Sequence, residues 1–128
     1  MQGWLWILTG VNGFLAVALG AFGAHGLERS LAGVEAFERR MAWWQTASQY
    51  HLTHALALAV AAVMASKEPS IARVAGLCFQ CGILLFSGSL YTMTLSGARW
   101  LGAVTPLGGL AFLAGWAAVA VAGYRWTR

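Results

Sequence analysis

The chain has 128 residues, 59% of them hydrophobic and only 9% charged, with a formal net charge of +4 and a pI near 9.7. A soluble domain carries about 25% charged residues. So few charges cannot coat a globule in water, and the composition defines a membrane protein of one domain. The basic balance does not point to nucleic acid. The Lys and Arg residues stand between apolar runs and at the C-terminus, where they meet headgroups or set topology, and the sequence has no basic run.

The first apolar run, "WLWILTGVNGFLAVALGAFGA", covers residues 4–24, and a bilayer span needs about 20 residues. No Lys or Arg precedes it, so the positive n-region of a cleavable signal is missing and a retained span is expected. Next comes a link over residues 27–41. Leu27, Leu31, Val34, Phe37 and Met41 step by three and four, while Glu28, Arg29, Glu35, Glu38, Arg39 and Arg40 fill the other positions. That spacing predicts an amphipathic helix lying along the membrane surface. A loop helix packed on its neighbours, or one that docks a partner, stays open as an alternative.

The second span is expected over 43–65 and the third over 71–95. The short "SKEPS" link between them, with Pro69, makes them a tight antiparallel pair. The third link, "SGARWLGAVTP", offers Thr105 as a helix N-cap and Pro106 as a first helical residue. Its glycines suggest a segment that dips into the bundle. The fourth span is expected over 106–126. Six of the seven tryptophans fall at these boundaries, as an interfacial belt would have them, and Trp116 alone falls mid-span. The expected fold is therefore an all-α membrane protein, a compact four-helix transmembrane bundle with an interfacial amphipathic helix between spans one and two. Small residues at every fourth position, Ala16, Gly20 and Ala24 on span one and Ala114, Ala118 and Ala122 on span four, suit close helix packing and also offer a face for a homo-oligomer. Four positive residues fall on each side of the membrane, so their count does not orient the chain. The acids Glu28, Glu35 and Glu38 tip the expectation towards cytoplasmic termini.

Depth along the helices picks out the candidate site. With a rise of about 1.5 Å per residue, His54 lies roughly 16 Å past Trp43 and His51 roughly 12 Å. Asn12 and Gln80 lie roughly 12 Å and 13 Å deep from the opposite side. Polar groups left alone in hydrocarbon are costly, so these side chains are expected to face one another, with Gln49 continuing the set towards the surface. One reading is a structural hydrogen-bond network. The other is a buried site for a small ligand, an ion or a proton, since intramembrane ionisable residues mark such sites. A metal site at His51 and His54 lacks further ligands, with His25 at the far end of its span and no acid inside any span. No metal and no cofactor is expected. Cys78 and Cys81 in "CFQC" read as small packing residues, because a redox motif needs a different context. No Walker motif, nucleophile elbow or dinucleotide fingerprint is present.

Four strings together carry a resemblance: "GAFGAHGL", "WWQTASQYHLTHALAL", "LLFSGSLY" and "RWLGAVTPLGG". They resemble, in order and over nearly the whole chain, a family of small bacterial membrane proteins (domain of unknown function 423) related to animal transmembrane protein 256. The resemblance implies a polytopic membrane protein of three or four spans in the bacterial inner membrane, and it implies no activity. It marks His25, Gln49, Tyr50, His51, His54, Arg99, Thr105 and Pro106 as family-like. Arg99 is expected to close the bundle by bonding backbone carbonyls at a helix end. The functional expectation is an accessory, scaffolding or assembly subunit that contacts lipid and a membrane-protein partner. The alternative is the ligand, ion or proton protein built on His51 and His54.

Overall fold

A computed structural model describes residues 2–128. Four long helices follow one another: α1 (Gly3–Ser30), α2 (Phe37–Met64), α3 (Pro69–Ser96) and, after a 3-10 turn at Arg99–Ala103, α4 (Thr105–Trp126). Three helical stretches, Gly3–Ser30, Pro69–Ser96 and Arg99–Trp126, are long and apolar enough to cross a membrane. α2 matches them in length at 28 residues, but its N-terminal half is polar. The helices run up and down. Gln2 donates to the Pro69 carbonyl (2.6 Å), Glu68 pairs with Arg125 (3.5 Å), and the Lys67 ammonium sits 5.4 Å from the Trp126 ring. Both described chain ends and the α2–α3 link therefore share one end of the bundle.

α2 and α3 form the central pair, α1 packs mainly on α2, and α4 mainly on α3. Of the most apolar window, 39% is buried in α3 but 17% in α1 and in α4, so the two outer helices turn most of their side chains outward. Phe14, Ile7, Leu110 and Leu113 are exposed there, as lipid-facing residues must be. The core between the helices is built from Leu5, Leu58, Ala61, Ala75, Phe79 and Phe112. Glycines let the backbones close in. Gly108 of α4 lies against the Phe86 backbone, Gly82 against the Phe112 ring, and Gly76 against Leu5.

At 28 residues each, α1 and α2 are about 42 Å long, some 12 Å more than the hydrocarbon core. The extra turns absorb the ends of the link expected to form a helix over 27–41. No separate surface helix forms there. Residues 27–30 extend α1, Phe37 begins α2, and the chain turns between them at Gly33 (φ 79°) and Ala36 (φ 58°). Two left-handed residues cannot continue a right-handed helix. The apolar spacing still does its work in packing, because Leu27 and Leu31 are buried with Trp44 while Val34, Phe37 and Met41 pack around them.

Three further expectations change. Trp44 is not a belt residue. It is 4% exposed, and its indole donates to the Leu19 carbonyl (2.8 Å) where α1 widens into a π turn at Gly23–Leu27. The α3–α4 link does not dip into the bundle; none of its 3-10 residues is buried, and Trp100 is 72% exposed. Arg99 does not close a helix end. Arg40 does so, donating from Nε to the Thr94 carbonyl (2.7 Å) and from Nη2 to the Leu95 carbonyl (2.9 Å) at the end of α3. Charge-assisted bonds to last-turn carbonyls are worth about 1.5–3 kcal/mol. Arg40→Met should therefore lower the melting temperature in detergent, and Arg99→Met should leave it unchanged. Equal melting of the two variants would contradict the assignment.

Candidate functional site

Over Gly3–Phe22 the buried positions of α1 are Leu5, Asn12 and Ala16, all on the face turned to α2 and α3. Asn12 is thus carried inward by its register, and His51 of α2 meets it from across the interface. The contacts fix the direction of each bond. Asn12 Nδ2 lies 2.8 Å from the Leu8 carbonyl, which can only accept, so this atom is the amide nitrogen and Oδ1 faces His51 Nε2 at 3.2 Å. Nε2 must carry the proton there. In the neutral ring Nδ1 is then bare and accepts from the Tyr91 hydroxyl at 3.0 Å. Asn12 Nδ2 also donates to Gln80 Oε1 at 2.8 Å. The result is one directed chain, Tyr91 to His51 to Asn12 to Gln80, linking α3, α2 and α1 and returning to α3.

His54 belongs to a different cluster. Three residues turn the helix by about 300°, which leaves His54 about 60° away from His51, towards α4. Its Nδ1 donates to the Tyr50 carbonyl one turn back (2.7 Å), so Nε2 is bare and accepts from the Trp116 indole (3.2 Å). Its ring stacks on Phe112, with centroids 3.5 Å apart and planes 9° off parallel, and the Phe79 ring lies 5.8 Å away, tilted by 47°. Each imidazole has both nitrogens engaged by protein groups. Of His51, His54, Asn12 and Gln80, the hydrogen bonds join three, and His54 stands apart.

The other candidates separate as well. Gln49 is exposed and joins neither cluster. His25 is exposed on the π turn of α1, and Arg99 is exposed on the 3-10 turn. Thr105 does not cap α4, since Val104 holds the N-cap position. Its hydroxyl instead meets that of Ser89 (2.7 Å) and ties α4 to α3. Cys78 is half-buried and Cys81 exposed, and both are free thiols. Tyr91 and Trp116 were not among the candidates. Trp116 had a signal in the sequence, as the one tryptophan away from a boundary. Among the described residues, no three His, Cys, Asp or Glu side chains gather as a metal would need.

A groove of about 840 Å³ runs between the later half of α1 and the early half of α2. Its floor is small, with Ala16, Gly20 and Ala24, and its α2 wall carries Gln45, Ser48 and Gln49. Glu28 and Glu38 stand at its outer end.

Four up-and-down helices, apolar outer faces and a buried phenol–imidazole–amide chain define a small polytopic integral membrane protein. The chain belongs to the family described as "Protein of unknown function (DUF423)", whose model matches residues 19–109. It is 45% identical to the UPF0382 membrane protein YwdK of Bacillus subtilis, over 94% of this chain and 95% of that one. It is 43% identical to the UPF0382 inner membrane protein YgdD of Escherichia coli K12, over 95% and 90% respectively. A UPF0382 membrane protein of Staphylococcus epidermidis is 40% identical over 91% of each. No solved structure matches the chain.

Proposed function

We propose that the chain is a non-catalytic accessory or scaffolding subunit, and that its α1–α2 groove receives a transmembrane helix of another membrane protein. One observation carries this reading: Gln49 is exposed in the groove below the level of Trp43, with Gln45 exposed one turn nearer the surface. Gln49 lies six residues past Trp43, roughly 9 Å below it. A primary amide turned to lipid is unfavourable, whereas one turned to a neighbouring helix binds it by interhelical hydrogen bonding. The small floor of Ala16 and Gly20 lets a partner backbone approach closely. Glu28 and Glu38 at the mouth suit a partner with Lys or Arg at its own interface.

A photoreactive residue at position 49, expressed in intact cells, should give one discrete adduct with another membrane protein. The same residue at the outward Leu110 should give lipid adducts. Lipid adducts from both positions would reject a protein neighbour. An adduct of twice the chain's own mass would replace the foreign partner by a second copy.

The rival reading, a small-ligand, ion or proton protein centred on His51 and His54, draws less support. Every ring nitrogen there has a protein partner, and the two rings lie in separate clusters.

A further inference from the structure

At the loop end of the bundle, three arginines from two distant segments come together. Arg39 and Arg40 lie in the first turn of α2. Gly97, in the left-handed region at φ 73°, ends α3 and turns the chain so that Arg99 comes back over the start of α2. Arg39, Arg40 and Arg99, with Glu35, Trp43 and Gly97, line a cavity of about 210 Å³. That is the space of about seven waters, enough for a phosphate group and its nearest hydration.

The charge of this cavity is not balanced. Three guanidiniums face one carboxylate, Glu35, and among the described residues the ion pair that forms, Arg125 with Glu68, is at the other end of the bundle. Arg40 is held by its two bonds to the end of α3, so its charge forms a fixed wall. Arg39 and Arg99 are exposed and able to close on a ligand. Their planar forks match phosphate oxygens two at a time. The start of α2 adds to the same field, since its N-cap, Ala36, makes no side-chain cap and the helix presents open N–H groups there. Trp43 in the wall sets the cavity at headgroup level.

We propose that this cavity binds the phosphate of a phosphate ester at the membrane surface, with an anionic phospholipid headgroup as its source. The site is separate from the α1–α2 groove and does not depend on the role given to that groove.

The test uses the full chain in neutral detergent, with melting followed by circular dichroism. Dioctanoyl phosphatidylglycerol, dioctanoyl phosphatidylcholine and inorganic phosphate are titrated separately. Phosphatidylglycerol should raise the melting temperature of the wild type and of an Arg125→Gln/Arg128→Gln control. Its apparent affinity for an Arg39→Gln/Arg99→Gln variant should fall by at least about tenfold, the scale of a lost charge-assisted pair. That variant leaves Arg40 and its bonds in place, and Arg99→Gln alone should fall between the two. If inorganic phosphate gives the same arginine-dependent shift, the site stands and its ligand is a soluble phosphate. An equal shift in wild type and double variant, an equal response to phosphatidylcholine, or no shift with any of the three would overturn the proposal.

Discussion

Replacing His51 with leucine should destabilise the bundle by about 2 kcal/mol, and replacing Asn12 as well should cost less than the two single changes added together. Interhelical hydrogen bonds in membranes average about 0.6 kcal/mol and reach about 1.7 kcal/mol. Two lost bonds therefore account for about half of the effect or more. The rest comes from what remains, because Asn12 is 4% exposed and its Oδ1 would face leucine with no donor. An unmet buried acceptor costs about 1–3 kcal/mol. In the double variant that acceptor is gone, and the coupling between the two sites should appear as about 1 kcal/mol of non-additivity. Unfolding by added SDS in mixed micelles, followed by circular dichroism, measures all three variants. Strict additivity would mean that the chain from Tyr91 to Gln80 is not a connected unit. His54→Leu should be the milder change. It removes one bond between helices, from the Trp116 indole, where His51→Leu removes two, and it keeps an apolar group against Phe112.

The same residues show how far a sequence can be read. Height along each helix follows from a fixed rise per residue, and so Asn12, His51 and Gln80 could be placed level before any contact was known. Azimuth does not follow so simply. His54 is level enough to have joined them, but it is turned towards α4, and only the packing of α4 on α3 supplies Phe112 and Trp116 as its partners. Apolar runs locate the spans but not the helix ends, since a helix can continue into the headgroup region, as α2 does in starting at Phe37 rather than Trp43. The break over the first link is the least legible feature. Glycine at 33 hints at a turn, but nothing in the spacing marks Ala36 as left-handed. Arg40 took the capping role expected of Arg99 because the end of α3 comes to rest beside the start of α2, a pairing set by tertiary structure.

Adding a single methyl group at Gly108 should do more damage than adding one at Gly123 on the same helix. A helix gains about 1 kcal/mol when alanine replaces glycine, and at Gly123 nothing lies within 4 Å to oppose that gain. Gly123→Ala should therefore leave stability unchanged or raise it. At Gly108 the new Cβ meets the backbone nitrogen and Cα of Phe86. A side chain can rotate away from such a contact, but backbone can move only with its whole helix. Relief would require α4 to back away from α3 at the π turn Ile83–Ser87, parting the Ser89 and Thr105 hydroxyls. Overpacking of this kind costs about 1–3 kcal/mol, enough to outweigh the propensity gain. Gly115→Ala meets the Phe79 ring rather than backbone and should fall between the two. The order of SDS midpoints, Gly108→Ala lowest and Gly123→Ala highest, tests whether α3 and α4 touch at this glycine. Equal midpoints would show that they do not. Because Phe112 and Trp116 ride on α4, a shift of that helix also withdraws the stacked ring and the indole donor from His54. The glycine contact and the second histidine cluster should therefore weaken together, and Gly108→Ala combined with His54→Leu should be less than additive.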